Sequence, residues 1–505
     1  MLLRSGIIVA FFTLLSRFFG LARELFIAAT FGTTAVADCV NVAFKLPNLF
    51  RRIFGEGALS AVFIPMFSEK LVTPQEDEKT FSGEIFTLLL LTLIILTIIM
   101  PIGMPYLMIL IAPGFIATDK FDLAVTLCRI TMPYVIFVSI TALFGGMLNS
   151  LRKFAAFAFV PIIMNLCIIT ITPLLSSQYT PHMSIGYALL IAGALQVAFM
   201  YFCLRRAGLN FPILFRPKDK EVQKLLRKMG PATMSSGAQQ ISLFISQSIA
   251  SFLPGAVSIL SYADRLYQLP MSLIGITFGT ILLPELSKIY KKQEYVRANI
   301  LQNKAVKIAL TISIPAMFGL FLLARPIIGL IYERGEFSSN DTILTAHALM
   351  AFSLGLPAFV LAKILTPIFY ANLDTKTPFK ITIYSLLTNI ALNILLMIPF
   401  GHVGIALGSS IAAWFNVYLL NKYAKQYGEF KITKDTLLFS IKIIVSSCVM
   451  AAFILFSQYY YSHLFYDDSF IIKALSIIGT IIVAVIAFIL SSLLLKMHKI
   501  LLKKE

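Results

Sequence analysis

Long apolar stretches recur along this sequence at roughly every 36 residues, and most are at least as long as the ~20 residues that cross the hydrocarbon core of a bilayer. Of the 505 residues, 58% are hydrophobic and 13% are charged, about half the charged fraction of a soluble globular chain. Almost no sequence remains between the stretches for a soluble domain. The pattern therefore predicts an all-α polytopic membrane protein and excludes a water-soluble fold.

We predict fourteen transmembrane helices. Their ranges are 5–31, 35–67, 82–107, 121–149, 153–177, 182–206, 228–253, 256–287, 304–331, 341–370, 378–400, 402–425, 435–459 and 470–496. The second helix is too long for one straight span, and both it and the eighth contain prolines and glycines. Each of these two is therefore predicted to be broken or strongly tilted. The first is expected to be a retained helix and not a signal peptide, because charged residues interrupt it and no small-residue cleavage pattern follows.

Lysine and arginine in short loops predict the orientation of the chain. The loops after the sixth, eighth and twelfth predicted helices are basic, as is the tail, whereas the opposite loops contain little beyond Lys120 and Arg334. Both termini are therefore predicted to face the cytoplasm. The formal net charge of +18 reflects this topology and not a nucleic-acid surface.

An internal repeat of about 220 residues is visible in the sequence. Segments 37–47 and 63–69 resemble segments 263–270 and 282–288. Each repeat holds six predicted helices, so the halves insert in the same sense, as in transporters whose substrate lies between two lobes. The predicted domains are an N-terminal lobe (1–206), a basic cytoplasmic linker (207–227), a C-terminal lobe (228–426) and two extra helices with a basic tail (427–505).

Charged residues lie inside several predicted spans, where each costs about 2.5–3.5 kcal/mol on insertion scales. The cluster comprises Arg17, Arg23, Glu24, Asp38, Lys45, Arg51, Arg52, Glu56, Asp264, Arg265 and Lys363. A single pair such as Arg23 with Glu24 is also compatible with a structural ion pair. The excess of cations in the whole set favours a hydrated cationic cavity between the halves, and guanidinium groups suit a diphosphate.

Segments 16–24 and 43–58, together with 262–266, 333–337 and 369–378, resemble the MurJ/MviN family of lipid II flippases. The resemblance spans nearly the whole chain. It implies the multidrug/oligosaccharidyl-lipid/polysaccharide exporter fold, with two six-helix lobes around a central cavity. It further implies translocation of undecaprenyl-diphosphate-linked peptidoglycan precursor across the bacterial inner membrane by alternating access.

The resemblance also implies site residues and partners. The diphosphate and head group are expected to contact Arg17, Arg23, Arg51 and Arg265, and the other members of the cluster are expected to belong to a charge network in the cavity. Two extra helices are expected to hold the undecaprenyl tail. The implied partners are lipid II and membrane lipids, with cell-wall synthesis proteins left open.

No cofactor is implied, and the expected driving force is the membrane potential or an ion gradient. Some family members use a carboxylate on the seventh helix for sodium, but residues 229–253 contain no Asp or Glu, which weakens a sodium-coupled reading. Glycines and prolines in the second and eighth helices are candidate hinges. These are Pro47, Gly55, Gly57, Pro270 and Gly275.

Three alternatives stay open on the residues alone. Another exporter of this fold could move O-antigen or capsular polyprenyl diphosphate sugars, which fit a cationic cavity nearly as well. A membrane enzyme would need converging acid–base or metal-binding residues, and the five cysteines and five histidines are scattered, so no catalytic residue or metal site is predicted. A structural partner in a cell-wall complex would tolerate neutralisation of the cluster.

Overall fold

A computed structural model describes residues 2–51, 62–72, 78–116, 118–216, 218–427, 431–467 and 469–497, without the side chains of 2–7, 230–243 and 272–281. Every regular element in these ranges is a helix, so the predicted all-α class is confirmed. The chain divides into two compact units, Met1–Val257 and Ser258–Glu505. The predicted lobe boundaries stay a prediction.

The first unit is built from helices, and a short 3-10 turn, Pro113–Phe115, follows the helix that ends at Ile111. Its helices are α1 (Leu2–Phe31), α2 (Ala35–Phe50), α3 (Ile64–Val72), α4 (Glu78–Ile111), α5 (Lys120–Thr131), α6 (Tyr134–Ser150), α7 (Ala155–Leu175), α8 (Pro181–Arg206) and α9 (Lys220–Ala250).

The second unit continues with helices of similar length, the first of which begins in the last residues of the first unit. They are α10 (Ala256–Lys291), α11 (Tyr295–Leu322), α12 (Ala324–Tyr332), α13 (Ser339–Ser353), α14 (Leu356–Ala371), α15 (Lys376–Phe400), α16 (His402–Ala424), α17 (Lys434–Tyr460), α18 (Ser462–Phe465) and α19 (Phe470–Leu494).

Within the described residues, ten helical stretches are long and apolar enough to cross a membrane. They are α4, α5 with α6, α7, α8, α11, α13 with α14, α15, α16, α17 and α19. These match ten of the predicted spans, while the predicted first, second, seventh and eighth correspond to α1, α2 with α3, α9 and α10. The full count of fourteen stays a prediction that agrees with this arrangement.

Three spans predicted as single helices are interrupted. Helices α5 and α6 are separated at Pro133, α13 and α14 at Gly355, and α11 and α12 at Leu323. Proline lacks the N–H that continues a helix, and glycine weakens one. The first two interruptions fall in helices that match each other in the sequence repeat, so the repeat extends to this detail.

Helix α10 is one continuous helix of 36 residues with Pro270 and Pro284 inside it. Of the two predicted possibilities, a break or a strong tilt, the break is absent, and a helix about 54 Å long must tilt or project beyond the hydrocarbon core. In the other helix predicted to break, α2 ends at Phe50 and α3 begins at Ile64. Residues 52–61 lie outside the described residues.

The predicted linker is partly helical, because α9 begins at Lys220. Its first turns are amphipathic: Val222 and Leu225 are buried in a core that includes Phe81 and Phe144, while Lys224 faces outward. Apolar residues three apart on a helix lie on one face. The basic start of α9 therefore packs against the other helices of the first unit.

A buried amide attaches α17, the first of the two extra helices, to α11. Asn303 Nδ2 donates to the Lys431 carbonyl at 3.0 Å, and Asn303 Oδ1 accepts from the Thr433 N–H at 3.1 Å and the Thr436 hydroxyl at 2.8 Å. Asn303 is 4% exposed, so these bonds compensate for its burial. Its position sets where α17 begins.

Candidate substrate-binding site

Helix α1 places three of the predicted charges. Arg17 is exposed, whereas Arg23 and Glu24 form an ion pair with Nη2 to Oε1 at 2.6 Å and side chains only 12% and 11% exposed. For Arg23 and Glu24 the structure thus shows the structural ion pair that the sequence left open as an alternative to substrate binding. Arg23 Nε is buried and has no hydrogen-bond partner within the described part of the chain. One edge of this guanidinium is therefore used by Glu24 while its Nε proton still needs an acceptor.

Asp38 lies in the first turn of α2 and is fully buried. Its Oδ2 accepts from Lys120 Nζ at 2.7 Å and from the backbone N–H of Gly255 at 3.0 Å. A buried carboxylate is tolerated when it is paired and hydrogen-bonded. Asp38 therefore joins the start of α2, the start of α5 and the loop before α10.

Two further contacts reinforce the same region. The Gly114 N–H donates to Ser251 Oγ at 3.0 Å, and Ser248 Oγ donates to the Ile111 carbonyl at 2.9 Å. A Cβ at Gly114 would lie 2.4 Å from backbone atoms of Ser251 and Phe252, so only glycine permits this approach. We call the contacts of Asp38, Lys120, Gly255, Gly114 and Ser251 the Asp38 junction.

Sequence reasoning missed the junction. It assigned Lys120 to a loop facing away from the termini and Asp38 to the cavity network, without connecting them. Their separation along the chain gives no helical or strand spacing that would pair them. Only the arrangement of α2 against α5 reveals the contact.

The remaining charges of α2 are half-exposed. Lys45 lies two residues before Pro47, which is buried inside the helix, and Arg51 Nε donates to Asn48 Oδ1 at 3.2 Å. The other predicted members of this segment lie outside the described residues. They are Arg52, Glu56, Gly55 and Gly57.

In the second unit, Arg265 on α10 and Lys363 on α14 are exposed, and Asp264 is half-buried. The Gln268 amide donates to Asp264 Oδ2. A glutamate at position 268 would place a second negative charge beside the Asp264 carboxylate, whereas the Gln268 amide donates a hydrogen bond to it. Gly275 lies in the part of α10 whose side chains are not described.

Two other segments of the resemblance fix loops. Asp374 Oδ1 accepts the N–H groups of Lys376 and Thr377, and Tyr427 donates to Asp374 Oδ2 at 2.5 Å. Burial raises the pKa of Asp374, but these hydrogen bonds outweigh it and hold that pKa at about 2. The motif therefore shapes the start of α15.

The 333–337 segment has a similar structural role. Thr342 donates to Glu333 Oε2 at 2.7 Å, and Ser338 and Asp341 form a capping box at the start of α13. A capping box satisfies N–H groups that a helix start would leave unpaired. The segment thus sets the turn between α12 and α13.

The described residues contain no group of three or more His, Cys, Asp or Glu side chains that could hold a metal ion. Apolar spans, a duplicated helical pattern and arginines within helices are typical of a multi-pass membrane transporter. Known proteins agree: the family model described as "Lipid II flippase MurJ" matches residues 27–498. The chain belongs to this family.

Relatives match over almost their whole length. A "Probable lipid II flippase MurJ" of Rickettsia prowazekii is 54% identical, covering 98% of each chain. A protein of that name from Rhizobium tropici is 38% identical over 96% of this chain and 92% of the relative. A "Lipid II flippase MurJ" of Burkholderia cenocepacia is 33% identical over 89% of each.

Solved structures agree on the fold. The structure "Lipid II flippase MurJ, inward closed conformation" superposes with a TM-score of 0.80 at 28% identity, covering 98% of this chain and 100% of that one. An inward-facing multidrug resistance MATE family transporter of the MOP superfamily gives 0.70 at 15% identity, covering 83% and 97%. The predicted exporter fold is therefore confirmed.

Proposed function

We propose that this protein translocates lipid II from the inner to the outer leaflet of the bacterial inner membrane by alternating access. The observation that carries the proposal is the match to the lipid II flippase family over residues 27–498. The relatives carry that name at up to 54% identity among those compared.

The diphosphate of lipid II is bound, in this proposal, by Arg17, Arg23, Arg51 and Arg265. Arg17 and Arg265 are exposed on helices that the topology places in the membrane, where a charged side chain facing lipid is costly. Guanidinium groups bind phosphate oxygens in bidentate fashion, so both positions suit a diphosphate. Arg23 contributes a buried Nε that lacks an acceptor within the described residues.

The Asp38 junction closes the side of the first unit opposite the termini in this conformation. Gly255 and Ser251 follow α9, which belongs to the second sequence repeat, whereas Asp38 and Gly114 belong to the first. Alternating access moves one repeat against the other, so contacts that join the two repeats are the ones placed to change during the cycle. We assign the junction this role in the transport cycle.

Both termini are proposed to face the cytoplasm. The basic loops on their side support this orientation, and the chain is a multi-pass membrane protein. Reporter fusions at the C-terminus and in the 466–469 loop test it. Activity of a cytoplasm-dependent fluorescent protein at the C-terminus and of alkaline phosphatase in the loop is expected, and the reverse pattern contradicts the orientation.

The membrane potential is proposed to drive transport. The absence of Asp and Glu from residues 229–253 favours this over sodium coupling. Collapse of the potential with valinomycin and potassium is expected to stop translocation, while replacing sodium by choline leaves it unchanged. Sodium dependence would overturn this part of the proposal.

The experiment that tests the function uses a bacterium depleted of its own lipid II flippase and supplied with this protein. An externally added toxin that cleaves lipid II reports the lipid on the outer leaflet. Expression of this protein is expected to restore cleavage and growth. Cleavage that stays at the depleted level with normal protein abundance contradicts the proposal.

Alanine at each of the four arginines is expected to abolish rescue. The matched control is Arg325→Ala, because Arg325 lies near a helix end, stacked 4.9 Å from the Tyr466 ring centroid. Rescue by the control with failure of the four site variants supports the site. Full rescue by all four overturns the site while leaving the function standing.

A further inference from the structure

A cleft of about 640 Å³ lies in the first unit, between the start of α1, the loop that joins α6 to α7, and the end of α8. One wall is aromatic. The ring centroids of Phe12 and Phe159 are 5.5 Å apart, and those of Phe159 and Phe199 are 5.4 Å apart. This volume is in the range of ligand sites in proteins.

Three cationic side chains also line the cleft, and we call them the rim. Arg152 and Lys153 come from the α6–α7 loop and Arg206 is the last residue of α8, and all three are exposed. Among the described residues, none of the three takes part in an ion pair. The rim therefore presents three positive charges beside an apolar wall.

The neighbouring Arg205 is also cationic and also lies at the end of α8, but it contacts Tyr201 instead of the cleft. Its Nε donates to the Tyr201 hydroxyl at 2.7 Å, and its guanidinium lies 5.1 Å from the Tyr201 ring centroid. Arg205 does not line the cleft. It supplies a matched control of equal charge, one residue away.

The depth of the cleft in the membrane follows from its elements. The rim residues lie where α6 and α8 end and α7 begins, at the boundary between hydrocarbon and water, while the aromatic wall extends along the helices into the apolar layer. A ligand that fills the cleft must be anionic at the boundary and apolar below it. Basic pockets between transmembrane helices bind the head groups of anionic lipids in this manner.

We propose that the cleft binds an anionic glycerophospholipid of the leaflet that faces the termini. Its phosphate contacts Arg152, Lys153 and Arg206, and its acyl chain lies against Phe12 and Phe159. The bound lipid bridges α1, α7 and α8. The site is separate from the arginines proposed to bind lipid II, so the two proposals stand independently.

The backbone at Arg152 offers a clean test. Its φ of 59° is left-handed, and the Lys153 N–H donates to the Leu148 carbonyl at 2.8 Å, as in a helix C-terminal cap. Glycine fits this position without strain, and an L side chain does not. Arg152→Gly therefore removes the charge while easing the backbone.

The experiment uses the purified full-length protein in a neutral detergent, with phosphatidylglycerol, phosphatidylcholine, inorganic phosphate and lipid II as separate probes. Binding is measured by native mass spectrometry and by the shift of the melting temperature. The wild type and Arg205→Gln are expected to bind phosphatidylglycerol and to be stabilised by it. The triple variant Arg152→Gly, Lys153→Gln, Arg206→Gln is expected to bind about tenfold or more weakly, since it loses hydrogen bonds to a charged group.

Arg152→Gly alone is expected to melt no lower than the wild type without lipid, so weaker lipid binding cannot be attributed to misfolding. Equal phosphatidylglycerol binding by the triple variant overturns the proposal. The proposal is also overturned if phosphatidylcholine, inorganic phosphate or lipid II stabilises the wild type as much as phosphatidylglycerol does and loses this effect in the triple variant. Each of these results identifies a different occupant of the cleft.

Discussion

Helices α1 and α19 have similar lengths, 30 and 25 residues, but treat charge differently. Helix α19 contains one charged residue, Lys473, in its first turn, from which the side chain can reach the interface. Helix α1 contains four, and Arg17 lies near its middle. A helix such as α19 is stable in lipid as it stands, whereas α1 requires a partner for each charge.

The structure shows several kinds of partner. Glu24 pairs with Arg23, Asp38 pairs with Lys120, and Asn303 satisfies three groups near the start of α17. The exposed Arg17 and Arg265 are the groups for which we propose a substrate phosphate. We therefore expect that removing one member of a pair lowers the stability of the fold, and that the loss is larger when the member left behind is more deeply buried.

The largest loss of stability is expected for Lys120→Ala. It removes the ammonium partner of the fully buried Asp38 carboxylate, and the loss of one partner of a buried pair costs about 3–5 kcal/mol. A lower melting temperature and lower abundance in the membrane are expected. Lys288→Ala is the control, because the Glu285 carboxylate that it leaves behind is 51% exposed and exposed pairs contribute about 0–1 kcal/mol. Equal effects of the two variants contradict the dependence on burial.

Asn303→Leu extends the contrast to an uncharged group. The Thr433 N–H, the Thr436 hydroxyl and the Lys431 carbonyl each lose a hydrogen bond to the Asn303 amide, at a combined cost of about 2–4 kcal/mol. Faster hydrogen exchange at 431–436 is expected. Thr311→Ala on the same helix is the control and is expected to leave exchange at 431–436 unchanged. If Asn303→Leu also leaves it unchanged, the Asn303 amide does not hold the start of α17.

Gly114→Ala sharpens the role of the Asp38 junction. The added Cβ would meet the Ser251 and Phe252 backbone at 2.4 Å, and forcing atoms into a packed site costs about 1–3 kcal/mol. Faster exchange at 251–257 and greater access from the side opposite the termini are expected. Gly103→Ala, which meets nothing within 4 Å, is expected to be neutral or slightly stabilising. If Gly114→Ala shows the same exchange and accessibility as Gly103→Ala, the close approach of Gly114 to the Ser251 and Phe252 backbone does not stabilise the junction.

The smallest effect is expected at Asp374, outside the spans. Its pKa is about 2 in the folded protein against an ordinary 3.8. The ionised form therefore stabilises the fold fully above the ordinary pKa, and this contribution is lost as the pH falls towards 2. The melting temperature of the wild type should fall more steeply below pH 4 than that of Asp374→Asn. Parallel curves would show that the hydrogen bonds of this carboxylate add nothing.

Sequence reasoning predicted the helical class and the family, and it left open a structural ion pair between Arg23 and Glu24. Hydrophobic length and short motifs are local signals, and they suffice for these. It did not predict the separations of α5 from α6 and of α13 from α14, because the apolar character continues across Pro133 and Gly355. It also missed Lys120 as the partner of Asp38 and the helical start of α9, since both depend on packing between elements distant in sequence.

The central claim is that Arg17, Arg23, Arg51 and Arg265 bind the diphosphate of lipid II. The most direct measurement is lipid II binding to the purified protein by native mass spectrometry, for the wild type, each of the four alanine variants and Arg325→Ala. The account predicts about tenfold or greater weakening for each of the four, from lost charge-assisted bonds, and wild-type binding for Arg325→Ala. Wild-type affinity in all four, with unchanged melting temperatures, would contradict it.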